Sequence, residues 1–308
     1  MVFHLPLQTI KQTLESYGHI HKKNPSFGMN PLEDDLSSKQ VVILQNDGRK
    51  KKGLPIRFGF FALFLCINGH AKRYVNQFEF DILQHTIQLI PPGAIYSFEN
   101  FGEKSEFYIL LFNEALFESY DGCSQEIHTL LEFHKAHFET LLLSEPSFAD
   151  IKIMLNKIDT ELKYEKKSYL ELVRLYILEI LYLMQRDKEN ASHNVIASET
   201  KAEQIVKQYL HLIEKHFVTK KHVNDYAKLL GISSKHLGET IKAQTHKSAL
   251  GFIHERLYKE MVYLLIYTQL SIKQISLLLN FETPTACSRF FKIYAQMTPK
   301  EFRLSQSV

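Results

Sequence analysis

The pattern of hydrophobic and polar positions divides the chain into three regions, and the first of them indicates β-structure. Short apolar and aromatic runs alternate with turn residues at a spacing of roughly 8–12 residues, which is typical of antiparallel sandwiches and barrels. The predicted strands are 40–44, 58–67, 71–75, 78–83, 86–90, 95–98 and 107–112, and a short helix is predicted over 7–17. Asn68-Gly69, Asn76-Gln77 and Pro91-Pro92-Gly93 are predicted as turns. This region therefore predicts an antiparallel β-barrel or jelly roll over residues 1–120.

The second region, residues 121–190, changes to the period of amphipathic helices. Helices are predicted over 124–138, 147–163 and 168–186, with Ser147 and Ser168 as N-caps. The last of these helices presents a broad apolar surface, which must be buried. Packing on the strands is one solution and a subunit interface is the other. We expect the helices of 147–186 to take part in dimerisation, and we keep packing on the strands as the alternative.

The third region begins after a polar segment, 187–200, that breaks the helical period and predicts a linker at 191–200. The net charge of the whole chain is only +3, but the charge is unevenly distributed. Residues 201–308 hold 16 basic and 8 acidic side chains, a net charge of +8, so residues 1–200 carry −5. A basic module behind an acidic one favours a polyanionic partner for the last region alone.

The basic region contains two helix-turn-helix patterns after a predicted helix over 201–216. In the first pattern, Asn224 is the predicted N-cap, Gly231 supplies the turn and Ser233 caps the following helix. Leu237 and Ile241 are predicted to point inward from that second helix. A glycine turn between two short helices is by itself a weak signal, so the second pattern decides the interpretation.

The second pattern repeats the first about fifty residues later. Ser271 caps a helix over 272–279, Asn280-Phe281 makes the turn, and a helix from Pro284 follows with Cys287 and Phe291 inward. One helix of about 20 residues, roughly 30 Å long, is predicted between the two patterns over 249–268. That length would hold two reading helices about one DNA turn, roughly 34 Å, apart.

Residues 201–308 resemble the DNA-binding domain of AraC/XylS-type transcription activators. The residues that carry the resemblance are the first pattern from Asn224 to Leu237, then Ile253, Arg256, Leu257, Leu264 and Leu265 in the long helix, Ser271, Ile272, Ile275 and Phe281, then Ser288, Arg289, Phe291 and Lys292, and finally Thr298, Pro299, Phe302 and Arg303. The turn 91–98 more loosely resembles the cupin-like sensor arm of the same regulators. The family pattern has glycine where this chain has His246, Asn280 and Gln296, alanine at Ser276, a small residue at Met261 and a bulky apolar pair at Ala286-Cys287.

The resemblance implies an α+β multidomain protein. Its parts would be a cupin-like β-barrel or jelly roll with following helices and an all-α C-terminal domain with two helix-turn-helix units joined by a long linker helix. The implied function is sequence-specific binding of double-stranded DNA in the major groove. The implied partners are DNA, a small-molecule effector at the barrel, RNA polymerase and a second copy of the chain.

Ten outward residues of the two second helices are predicted to contact DNA. Arg289 is the main candidate for reading guanine or clamping a phosphate, and Lys235 and Glu239 are candidates for base edges. The remaining residues suit phosphate contacts or lie beside them: Ser233, Ser234, Lys242, Thr283, Thr285, Ser288 and Lys292. Because the second helix opens with Pro284 and Thr285, part of the specificity is expected from DNA shape.

Other function classes find less support in the sequence. Three scattered cysteines, Cys66, Cys123 and Cys287, and isolated histidines such as His70 and His85 predict neither a disulfide framework nor a metal centre. No catalytic residue set or cofactor motif is visible. The absence of a signal peptide or apolar span predicts a cytoplasmic protein that does not enter a membrane. A β-barrel enzyme with a DNA-binding appendage and an architectural DNA binder without a sensor stay as alternatives.

Overall fold

In the computed structural model of the protein, the described residues are 7–17, 27–29, 39–46, 52–53, 55–76, 78–118, 124–136, 139–194 and 200–305. The described residues divide into two compact units, one within 7–194 and the other within 200–305. We call them the β unit and the C-terminal unit. Among the helices that the structure describes, none combines the length and the apolar character needed to cross a membrane.

The β unit is built on one antiparallel sheet, as the strand pattern predicted. It begins with a short helix, α1 (Ile10–Tyr17). The described residues form the strands β1 (Val41–Asn46), β2 (Ile56–Arg57), β3 (Phe61–Val75), β4 (Phe78–Ile82), β5 (Thr86–Ile90), β6 (Ile95–Phe112) and β7 (Leu141–Leu142). Their order is β1-β6-β3-β5-β7, with β2 added to β6 and β4 added to β3. The two long strands β3 and β6 pair along nearly their whole length and organise the unit.

The predicted turn at Asn68-Gly69 is wrong, because both residues lie inside the continuous strand β3. The pairing of β3 with β6 shifts register on either side of Asn68, so this dipeptide forms a β-bulge. Gly69 has a φ of +100°, and a Cβ added there would lie 2.5 Å from the Cα atom of Ser105. Glycine is therefore required both by the backbone conformation and by the close approach of β6. Strand β6 is likewise continuous, because it pairs with β3 on both sides of the bulge. The two strands predicted over 95–98 and 107–112 are therefore one strand.

Helix α2 (Ser124–Ala136) lies between β6 and β7, and α3 (Glu145–Tyr164) and α4 (Tyr169–Asn194) follow β7. The predicted N-cap Ser147 is wrong for α3. Ser144 is the N-cap and accepts a hydrogen bond from the backbone N–H of Ser147, and Pro146 fits the first turn. Helix α4 runs beyond the predicted end at 186 because neither glycine nor proline interrupts it. Residues 191–194 of the predicted linker are thus helical, and 195–199 lie outside the described residues.

One continuous apolar core joins the strands of the β unit to its helices. Helix α3 contributes Ile151 and Leu155, and α4 contributes Ile177 and Leu181, each completely or almost completely buried. These side chains pack into the same cluster as the strand residues, including Leu63 and Leu110. The helices predicted over 121–190 therefore complete the core of the sheet domain, which burial of their apolar faces requires.

The regular secondary structure of the C-terminal unit, over its described residues 200–305, consists of helices. Its helices are α5 (Lys201–His216), α6 (Val223–Leu229), α7 (Ser234–Thr245), α8 (Ala249–Tyr267), α9 (Ile272–Leu278), α10 (Pro284–Ala295) and α11 (Pro299–Ser305). Helix α8 lies at the centre and contacts α5, α7, α10 and α11. Its predicted apolar face is buried, including Ile253, Leu257 and Met261.

Candidate nucleic-acid interface

The first helix-turn-helix consists of α6 and α7, joined by a turn at Gly231. Gly231 has a φ of +66°, as its turn position predicted, and its backbone conformation is the reason for glycine because a Cβ there would meet no neighbour. Ser233 caps α7 as predicted, accepting a hydrogen bond from the N–H of His236 at 3.1 Å. The predicted N-cap Asn224 is wrong: α6 begins two residues earlier, with His222 as its N-cap. The Asn224 side chain instead accepts a hydrogen bond from the Ser234 hydroxyl at 2.9 Å.

The second helix-turn-helix consists of α9 and α10. Ser271 and Gln274 form a capping box at the start of α9, so two backbone N–H groups of the first turn are satisfied reciprocally. Asn280 occupies the left-handed region with a φ of 52°, as its place in the turn predicted. Thr283 caps α10, and Pro284 fits the first turn of that helix.

The two reading helices correspond position by position, at an offset of fifty residues. Leu237 and Cys287 are buried at the first inward position, and Ile241 and Phe291 at the second, as predicted. Both helices end on left-handed residues, His246 with a φ of 57° and Gln296 with a φ of 58°, where the family pattern has glycine. The two turns differ in length, because Gly231 lies two residues before its N-cap and Asn280 lies three before its own.

The structure places the ten predicted DNA contacts on the outer faces of α7 and α10. Eight are exposed: Ser233, Lys235, Glu239, Lys242, Thr283, Thr285, Arg289 and Lys292. Ser234 and Ser288 are half-buried, and the hydroxyl of Ser234 is already engaged by Asn224. Ser233 and Thr283 use their side-chain oxygens to cap the helices, so each holds a helix N-terminus, where backbone N–H groups favour anions such as phosphate.

The charge of the two outer faces differs at two matching positions, the first of which has Lys235 on α7 and the neutral Thr285 on α10. Glu239 on α7 corresponds to Arg289 on α10. The Glu239 carboxylate lies 4.0 Å from the Lys235 ammonium, and both side chains are largely exposed, so the contact between them is weak. The charged predicted residues of α10, Arg289 and Lys292, are both cationic. The second unit therefore presents the more positive face to a polyanion.

A residue that the sequence analysis did not single out joins the two helix-turn-helix units. Lys221, in the segment before α6, donates a hydrogen bond to the backbone carbonyl of Asn280 at 2.5 Å. Its ammonium also lies 3.9 Å from the centre of the Phe281 ring. Burial lowers the pKa of Lys221 to about 8. The start of the first unit is thus held against the turn of the second, a contact that no local pattern reveals.

A buried ion-pair cluster anchors the central helix α8. The Arg256 guanidinium donates hydrogen bonds to Glu214 on α5 and to Glu260 one turn along α8, each at 2.9 Å. It also covers the Phe217 ring at 3.9 Å. Burial opposes the charge of Arg256, but the two carboxylates outweigh it and raise its pKa. Arg303 on α11 donates to the backbone carbonyls of Leu265 and Leu270, so α11 holds the end of α8.

The candidate metal ligands and thiols of the chain lie elsewhere. Cys66 and Cys287 are buried free thiols, and burial raises the pKa of each to about 11. Cys123 lies outside the described residues. Glu114, His128 and Glu132 come together with their ligand atoms within 4.8 Å of one another, a group that the sequence did not predict. The one sign of this group in the sequence is that His128 and Glu132 are four residues apart on a helix, which puts them on the same face. Exposed acidic groups often lie this close without an ion.

The interior of the β unit contains a small apolar cavity of about 50 Å³. Its lining includes the aromatic residues Phe58, Phe64, Tyr96 and Phe98, all four of which lie in the predicted strands 58–67 and 95–98. Thr13 from α1 is one of two polar residues in the lining, with Asn46. Other aromatic residues of the predicted strands, Phe60, Phe61, Tyr74 and Phe78, are not part of its lining.

Comparison with known proteins agrees with this geometry. A family model described as a helix-turn-helix domain matches residues 226–305, which include most of the first helix-turn-helix and all of the second. The Msm operon regulatory protein of Streptococcus mutans serotype c is 34% identical over 106 residues, covering 34% of this chain and 37% of that protein. The match thus spans little more than a third of that relative's length.

Solved structures show looser similarity. The C-terminal domain of AraT, a response regulator from Geobacillus stearothermophilus, is 23% identical over 35% of this chain and 91% of its own, with a TM-score of 0.34. ToxT from Vibrio cholerae O395 is 12% identical over 87% of this chain and 98% of its own, with a TM-score of 0.39. The helix geometry and the family model agree: residues 226–305 match a helix-turn-helix domain.

Proposed function

We propose that this protein is a sequence-specific DNA-binding transcription regulator that reads the major groove with α7 and α10. The observation that carries the proposal is the repeated pair of helix-turn-helix units, both packed on α8 and both presenting exposed basic side chains. A single rigid helix under two reading helices favours their use on one duplex, as in motifs that address successive half-sites.

The reading residues have distinct proposed roles. Arg289, exposed at the middle of α10, has the planar fork of donors that matches the O6 and N7 atoms of guanine. Lys235 and Glu239 face the base edges of the other half-site. Ser233, Lys242, Thr283 and Lys292 contact phosphates, and Ser234, Thr285 and Ser288 lie at the edges of the interface.

We further propose that the β unit regulates DNA binding by taking a small effector in its interior. An enzymatic role for this unit is the less favoured alternative, because the matching relatives are regulatory and DNA-binding proteins. Contact with RNA polymerase is proposed as the route to transcription, and a cytoplasmic location is proposed from the DNA target.

A homodimer is proposed through α4. Its outer face carries Leu172, Leu175 and Tyr182, which are 36%, 47% and 51% exposed. Their spacing puts them along one side of the helix, the geometry of a helix-packing seam. The opposite face of α4 packs in the core of the β unit. In this proposal, one face of α4 therefore packs on the strands and the other forms the subunit interface.

Binding-site selection from a random duplex library tests the DNA-binding proposal. The full chain is expected to enrich one sequence motif and to bind it at least a thousandfold more tightly than unrelated DNA, at a stated salt concentration. Recovery of sequences without a shared motif would contradict the proposal. A steep loss of affinity with salt but no sequence preference would instead indicate an architectural DNA binder.

Sedimentation of a Leu175→Glu variant tests the dimer. A charge at this position should convert the chain to a monomer while the circular dichroism spectrum is unchanged. Leu83→Glu is the matched control, since Leu83 is 52% exposed and lies outside α4. A dimer that persists in Leu175→Glu, or a wild-type chain that is monomeric at micromolar concentration, would contradict this interface.

A further inference from the structure

Arg73 is a buried cation in the interior of the β unit. It lies on β3 opposite Phe98 of β6 and Phe80 of β4, and only 2% of its surface is exposed. Its guanidinium carbon lies 4.2 Å from the centre of the Phe64 ring and 4.4 Å from that of Phe107. A charged group so placed has lost nearly all of its water.

The guanidinium of Arg73 has little polar compensation. One terminal nitrogen donates to the Tyr96 hydroxyl, while the Nε atom has no hydrogen-bond partner. Burial lowers the pKa of Arg73 to about 9, and the titratable group that opposes this effect is the Cys66 thiol. No ion pair joins it to a carboxylate in the described part of the chain. The aromatic rings offset a part of the desolvation cost, but an unpaired buried cation is unfavourable for stability.

The apolar cavity shares wall residues with the surroundings of this cation, although Arg73 itself does not line it. Phe64 and Tyr96, which contact the guanidinium, and Phe98, its partner across the strands, all line the cavity. The hydroxyl of Thr13, a residue that is 93% buried, also lines the cavity and has no partner among the described residues. An aromatic-walled space with an unpaired cation and an unpaired hydroxyl beside it has the composition of a ligand site.

We propose that the interior of the β unit binds a small organic carboxylate, with Arg73 pairing with the carboxylate and the Phe64, Tyr96 and Phe98 rings covering the apolar body. The pairing would supply the counter-charge that the fold does not, and guanidinium and carboxylate match as a two-point hydrogen-bonded pair. This inference rests on the proposed function, because the carboxylate would be the effector of DNA binding. The small free volume favours a compact ligand of about one ring and requires the aromatic side chains to move slightly.

Isosteric probes test the role of charge on the intact chain. Calorimetry and thermal denaturation are carried out with benzoate against benzamide and with hexanoate against hexanamide, at constant ionic strength. We expect the anion of at least one pair to bind about tenfold more tightly than its amide and to raise the Tm. Equal binding of anion and amide, or no binding of either in both pairs, would overturn the inference.

Variants at position 73 separate a ligand role from a structural one. Arg73→Met keeps the side-chain length without charge, so it should fold with a Tm at or above that of the wild type and lose the preference for the anion. Arg73→Lys should keep part of that preference, and Lys72→Met, which removes a partly exposed charge at the neighbouring position of β3, should keep all of it. An Arg73→Met variant that unfolds, or that retains the preference, would contradict the inference.

DNA binding is measured on the same preparations. If neither carboxylate binds while the selected DNA motif is bound, the inference fails and the proposed function stands. If a carboxylate binds but no DNA motif is selected, the carboxylate site stands and the proposed regulator function fails.

Discussion

The ammonium of Lys221 donates a hydrogen bond to the backbone carbonyl of Asn280, 2.5 Å away and 59 positions along the chain. Because Asn280 is the left-handed residue of the second turn, this bond joins the entry of the first helix-turn-helix to the turn of the second. Packing of both units on α8 then sets the angle between two reading helices that are otherwise independent. The relative placement of the reading helices is thus determined partly by a residue outside both of them.

Replacing Lys221 by methionine should change how stability depends on pH. The pKa of Lys221 is lowered from 10.5 in the unfolded chain to about 8 in the fold, so the unfolded chain binds more protons between these values. Wild-type stability should therefore rise from pH 8 to 10.5 relative to Lys221→Met. Urea unfolding of both proteins across this range gives the difference between their free energies of unfolding. The titration of groups that the two proteins share cancels in this difference. A difference that is flat or falls with pH would contradict the burial of this ammonium.

Asn280→Gly should stabilise the C-terminal unit by less than about 1 kcal/mol, since glycine adopts a φ of 52° without the cost that a side chain incurs. Asn280→Ala, at the same position, should destabilise it, because alanine lacks the local hydrogen bonding that helps asparagine in this region. Thermal denaturation of the pair gives both values. If glycine lowers the Tm, the asparagine side chain has a role beyond the turn.

Arg256→Met should destabilise the chain by about 3 kcal/mol or more, because it leaves the Glu214 and Glu260 carboxylates buried without their cation. The matched control is the triple variant Glu214→Leu, Arg256→Met and Glu260→Leu, in which no charge remains. It should recover most of the loss, as seen by denaturant unfolding. A single variant as stable as the wild type would show that the cluster is solvated.

Gly69→Ala should cost about 2–3 kcal/mol, since it combines an unfavourable positive φ with overlap against the Ser105 backbone. Gly93→Ala is the matched control: Gly93 has a φ of +86°, but a Cβ there would meet nothing. Its loss should be close to 1 kcal/mol, the backbone part alone. Equal losses measured by urea unfolding would argue against close packing of β3 on β6 at the bulge.

Local sequence patterns predicted much of this architecture because local physics decides it. The caps Ser233 and Ser271, the turn at Gly231 and the inward pair Leu237 and Ile241 depend on neighbours within one or two helical turns. The same reasoning failed at Asn68-Gly69, whose hairpin signal is overridden by pairing with β6.

The contacts that sequence patterns did not reveal are distant ones. Lys221 in a polar segment and Arg73 in a strand of mixed polarity both resemble solvated basic residues, yet their surroundings come from segments far along the chain. The exposed positions of α7 and α10 could be predicted from the helical period, whereas the hydrogen bond that engages Ser234 could not.

Methylation protection of guanines on the selected DNA motif tests the central claim most directly, since it reports the N7 atoms that line the major groove. We predict two protected clusters about one helical turn apart, roughly 10 base pairs, for each bound chain. Arg289→Ala should keep the fold, weaken binding by about 1–3 kcal/mol and remove protection in one cluster only, whereas Lys201→Ala, an exposed basic residue of α5, should change neither cluster. A single protected cluster, or protection unchanged by Arg289→Ala, would contradict reading by both helix-turn-helix units.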